Sequence, residues 1–107
     1  MHKRLILSAL LLSCSSAWAQ AELDEHRLNN WGAQWANMKL CEDAGYLAAG
    51  TMQFMRSRME QGLSAQTLQQ LNQVYNYSLQ NKVVYARRIQ NWIPVVVTPE
   101  FCAGYVL

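Results

Sequence analysis

Residues 65–91 read AQTLQQLNQVYNYSLQNKVVYARRIQN, and the architecture depends on how this stretch folds. Leu68, Leu71, Tyr75, Leu79, Val83, Ala86 and Ile89 recur at steps of three and four, the spacing that gathers side chains on one helix face. The pattern predicts one helix from about Ala65 to Asn91. Pro94 would end it by pushing Ile93 out of the helical region.

Upstream, Gly62-Leu63-Ser64 reads as a tight link: a glycine after one helix, its hydrophobic contact, then an N-cap for the next. So short a link predicts antiparallel neighbours, a helical hairpin. Before it, Leu28, Trp31, Trp35, Met38 and Cys41 form another helical stripe, which resumes as Ala44, Ala48, Met52, Met55 and Met59. Gly45 and Gly50 leave open whether this is one long helix or two joined near Gly45. Downstream, Val95-Val96-Val97 is either a buried extended link or an isolated strand without a partner. Thr98-Pro99-Glu100 then supplies an N-cap, a first-turn proline and a carboxylate for a short last helix holding Cys102. The expected fold is all-α, a small helical hairpin or bundle of three to four helices over residues 20–107.

Ahead of that domain, residues 1–19 have the form of an export signal. His2-Lys3-Arg4 precedes an apolar stretch from Leu5 to Leu12, and Ala17-Trp18-Ala19 suits cleavage after Ala19. The apolar stretch is too short for a membrane span. A competing reading takes Leu11-Leu12-Ser13-Cys14 as a lipobox, with Cys14 lipidated. Either way Cys41 and Cys102 remain, an even number suited to an oxidising compartment such as the periplasm, and one disulfide between them is expected. A metal or redox thiol pair would call for closer Cys-x-x-Cys spacing.

The formal charge of +2 disappears once Lys3 and Arg4 are set aside, since every Asp and Glu lies beyond residue 19. A charge-balanced domain speaks against nucleic-acid binding and against a polybasic membrane-surface protein. Catalysis is also poorly provided for. His26 is the one histidine beyond the signal, set between Glu25 and Arg27, and reads as a solvated residue near the N-terminus rather than a base. Glu42 and Asp43 point about 100° apart on a helix and do not converge on a substrate. Met52, Met55 and Met59 could offer thioethers to Cu(I), but they continue a core stripe, and no cofactor or metal is expected.

The most unusual feature is a gap in charge. From Gln61 to Asn81 there is no Asp, Glu, Lys or Arg over 21 residues, whereas nine are Asn or Gln. Gln66, Gln69, Gln70, Gln73, Tyr77 and Gln80 fall largely opposite the leucine face. Covering such a face buries no ionised group, and interface centres are depleted of charge and enriched in Tyr. Tyr85, Arg87, Arg88 and Trp92 add side chains that often anchor interfaces, although Arg87 and Arg88 could equally neutralise a helix C-terminus.

The reading favoured by these residues is a non-enzymatic, exported protein-binding module: an inhibitor, an immunity-type protein or an envelope assembly factor. Its partner would be another protein or a second copy of the chain. The triplet Cys41-Glu42-Asp43 with a cysteine downstream is faintly similar to small acid-stress chaperones of the periplasm, over those three residues. A holdase exposing apolar surface conditionally is therefore the alternative.

Overall fold

A computed structural model describes residues 22–106; residues 1–19 and Cys14, on which the signal and lipobox readings rest, lie outside the described segment. Helix α1 runs from Glu25 to Asp43, started by Asp24, whose carboxylate accepts the Arg27 N–H at 2.8 Å. It ends where Gly45 turns left-handed (φ 84°) and the Gly45 and Tyr46 N–H groups close back onto the Glu42 and Cys41 carbonyls. This pairing satisfies the last carbonyls of the helix and needs a residue without a Cβ penalty. The long apolar stripe is therefore two helices, with Ala44 and Ala48 exposed in the loop between them.

Helix α2 spans Thr51–Met59 and lacks a side-chain cap from its own N-cap residue, Gly50. Glu42 supplies the acceptors instead: one carboxylate oxygen takes the Gly50 N–H at 2.9 Å, the other the Met52 N–H at 2.6 Å. A residue that reads as surface decoration in the sequence thus fastens the end of α1 to the start of α2.

Helix α3 covers Ala65–Asn81, capped by the Ser64 hydroxyl on Thr67 N–H at 3.1 Å. Both α2 and α3 pack chiefly on α1. The expected α2–α3 hairpin is reduced to bridging by Arg56, which pairs with Glu60 on its own helix and bonds the Asn72 amide oxygen on α3. Its guanidinium also covers the Trp35 ring, 4.7 Å from the centroid.

The all-α expectation is overturned beyond Asn81. Lys82 adopts a left-handed conformation (φ 52°), and the chain forms an antiparallel hairpin of strands β1 (Val83–Ala86) and β2 (Asn91–Pro94). The helix reading of 82–91 fails because Val83, Val84 and Tyr85 favour a pleated surface once a partner strand is in reach. That partner, Asn91–Pro94, is invisible while the preceding residues are counted as helix. The Ser78 hydroxyl, 2.5 Å from the Val83 carbonyl, secures the change of direction. Val95 extends the pairing by donating to the Lys82 carbonyl at 2.9 Å.

Helix α4 (Pro99–Ala103) begins as its sequence predicts, with the Thr98 hydroxyl accepting the Phe101 N–H at 3.0 Å. It delivers Cys102 to Cys41, and the two form a disulfide with a Cα separation of 5.8 Å. The core gathers around Trp35, Met38 and Leu71, with Met52, Met55 and Met59 packed against it. The Trp35 indole N–H donates to the Met59 sulfur at 3.2 Å, so that thioether serves packing and hydrogen bonding. Among the described residues no helix is long and apolar enough to cross a membrane.

Candidate interaction site

Helix α3 carries the amide face as its periodicity predicts. Gln66, Gln69, Gln73 and Gln80 are exposed, Gln70 is half-buried, and Tyr77 is 47% exposed. The tertiary structure does not use them equally. Gln73 and Tyr77 line a shallow cleft of about 260 Å³ with Asn29 of α1, Val74 of α3 and Trp92 of β2. Gln66, Gln69, Gln70 and Gln80 lie outside that cleft.

The cleft exists because the hairpin folds back toward α3. Tyr77 and Trp92 meet edge to face with ring centroids 5.1 Å apart, and Tyr85 meets the same Trp92 at 5.4 Å. Tyr85, buried against α1, stacks on His26 and hydrogen-bonds its Nδ1 at 2.7 Å. Aromatic pairs of this geometry add to the burial of their area. The result is a continuous run, Tyr77–Trp92–Tyr85–His26, joining α3 through the hairpin to the first turn of α1.

His26 is therefore not simply a solvated residue at a fraying end. Its ring is exposed but held by Tyr85, and Asp24 caps the helix it starts. Arg87 and Arg88 also sit elsewhere than a helix reading implies. Both lie exposed in the turn between β1 and β2, not in the last turn of a helix. Arg87 lines a second depression of about 300 Å³ with Asp24, His26, Arg27, Asn30 and Trp31, next to the aromatic run. Arg88 lines neither depression.

A larger cavity of about 390 Å³ opens between α1, α2, β1 and the chain after α4, lined among others by Gln34, Met55, Val84 and Tyr105. Burial pushes the Tyr105 phenol above its ordinary pKa, an effect its hydrogen bond with Asn37 partly offsets. Among the described residues, no group of three or more His, Cys, Asp or Glu side chains gathers where it could hold a metal ion.

The sequence singles out Gln73, Tyr77, Trp92 and Arg87 but does not connect them. Asn29, Val74 and Arg27 carry no signal in the sequence, because each joins the surface only through the hairpin. Comparison of the chain with family models, with curated proteins and with solved structures found no match.

Proposed function

We propose that this protein is a non-enzymatic, exported protein-binding module, an inhibitor, immunity-type protein or envelope assembly factor, that engages its partner through the cleft between α3 and the hairpin. The observation that supports this most is the juxtaposition of Gln73 and Tyr77 with Trp92. It makes an uncharged, aromatic-walled concavity, which a partner can cover without burying an ion. Trp and Tyr in such settings commonly contribute a large share of binding energy. The disulfide and the absence of a membrane-length helix among the described residues are compatible with export.

The test is affinity capture from an envelope extract at neutral pH with the oxidised protein and three variants. One stoichiometric partner is expected, retained by Gln53→Lys on the far helix α2 and lost with Gln73→Lys and with Tyr77→Lys. Circular dichroism checks that each variant is folded. Capture unaffected by the cleft variants would overturn the assignment.

A conditional holdase remains the second reading because Ile89, Ile93 and Val96 are exposed on and just after the hairpin, Val96 at 75%. Suppression of aggregation of unrelated proteins in acid, with dye binding and no defined neutral-pH partner, would favour it.

A further inference from the structure

The depression beside the cleft has a charge pattern that the binding-module reading leaves unused. Arg27 comes from the first turn of α1 and Arg87 from the hairpin turn, and both line the same concavity. The two turns that carry them meet because β1 packs on α1 and Tyr85 is tied to His26. Among the described residues neither guanidinium has an ion pair. The one carboxylate lining the depression belongs to Asp24, and one of its oxygens already accepts the Arg27 backbone N–H. His26 and the exposed Glu25 and Arg88 complete the ionisable groups on these two turns.

We propose that Arg27 and Arg87 form a carboxylate-binding pocket that accepts an acidic side chain from a protein segment whose neighbouring apolar residue enters the Tyr77–Trp92 cleft. This rests on the binding-module reading and gives its partner a chemistry. Two guanidinium groups against one carboxylate leave an excess of one positive charge, which a single carboxylate monoanion neutralises. A phosphate dianion would overshoot that balance and face Asp24. Guanidinium groups bind carboxylates through paired N–H donors, a geometry that ammonium groups do not reproduce. Trp31 gives the pocket an aromatic wall, and consecutive residues Asn29 and Asn30 line the cleft and the pocket respectively. The Trp92–Tyr85–His26 contacts link the two depressions, so a partner segment that spans this run meets both.

The experiment uses the purified oxidised protein and three probes followed by NMR: acetyl-Glu-Leu-amide, acetyl-Gln-Leu-amide and inorganic phosphate. Saturable shifts of the Arg27 and Arg87 Nε–H and Trp31 indole signals are expected with the Glu probe. The Gln probe should bind roughly ten-fold more weakly, as loss of a charge-assisted pair implies. Arg27→Gln and Arg87→Gln should each abolish the preference for Glu over Gln, while Arg87→Lys should restore only part of it. Equal binding of the two peptides, or a preference that survives both Gln variants, would overturn the proposal. Tighter binding of phosphate than of the Glu probe would overturn it in favour of a phosphate site. No natural partner is needed for this readout, so its failure is distinguishable from failure of the capture experiment.

Discussion

Gly32 of α1 and Val74 of α3 approach so closely that a Cβ built at Gly32 would lie 2.5 Å from Val74 Cγ1. The two main helices touch here, and Val74 is also one of the residues lining the cleft. Alanine at position 32 would gain helix propensity of about 1 kcal/mol. The clash with a stiff β-branched side chain should outweigh that gain, since overpacking typically costs about 1–3 kcal/mol. Gly32→Ala is therefore expected to lower stability in urea denaturation, and Val74→Ala in the same chain should recover little of the loss, because the residue 74 Cβ at 2.7 Å and the Tyr75 backbone nitrogen at 3.1 Å both remain. A more stable Gly32→Ala protein would contradict the close approach.

The disulfide closes a loop with a sequence separation of 61. In the chain-entropy view this closure contributes about 4 kcal/mol by restricting the unfolded chain. It also holds the short helix α4, which makes few other contacts with α1. The double variant Cys41→Ala/Cys102→Ala should lose most of that amount relative to the oxidised protein. Equal urea midpoints for the two would argue against the loop-closure account.

Glu22 couples the segment before α1 to the start of α3, accepting from the Ser64 hydroxyl at 2.9 Å and the Thr67 hydroxyl at 2.5 Å. The Thr67 and Ser64 hydrogen bonds hold its carboxyl below the ordinary glutamate pKa. A carboxylate with a depressed folded-state pKa contributes stability that is present above its unfolded pKa. That contribution is lost as pH falls through the folded value. Glu22→Gln should melt below wild type at about pH 7, and the gap should be smaller at an acid pH below the ordinary glutamate range. A gap of the same size at both pH values would show that the pairing has no ionic component.

The outer edge of β2 is shielded from other strands. Val95 donates to Lys82, and by the alternation of an antiparallel pair Trp92 and Pro94 then face outward. Trp92 N–H is taken by the Asn91 side chain at 2.8 Å, and Pro94 has no N–H to offer. Replacing both protections, in Asn91→Ala/Pro94→Val, should shift the protein toward larger species in light scattering. An unchanged mass across a wide concentration range would show that the edge is guarded by something else.

Much of the helical framework is legible in local sequence, for reasons that remain local. The stripe of α1, Ser64 as the cap of α3, and Thr98-Pro99 before α4 each depend on side chains a few residues apart. The Cys41–Cys102 pairing follows from number, since these are the two cysteines beyond residue 19. Gln73 and Tyr77 are readable as outward-facing because they oppose Leu71 and Tyr75 around one helix. Residues 82–91 are different: Val83, Ala86 and Ile89 fit a helical spacing, while Val83-Val84-Tyr85 and Trp92-Ile93 fit strands. Local pattern does not choose between these.

By itself the sequence determined the Ser64 and Thr98 caps, the core stripes of α1 and α3 and the uncharged face of α3, because neighbouring residues along one element specify them, and it determined the cysteine pair by number. Only the tertiary structure decided that the chain leaves the helix at Lys82. The deciding contacts are non-local, Tyr85 against α1 and His26 and Trp92 against Tyr77, and the local Ser78 hydrogen bond to the Val83 carbonyl supports the turn they require. Packing those aromatic rings offsets the cost of ending a helix early. The same contacts bring Arg87 to Arg27 and Trp92 to Gln73, so both depressions of the candidate site arise from the fold.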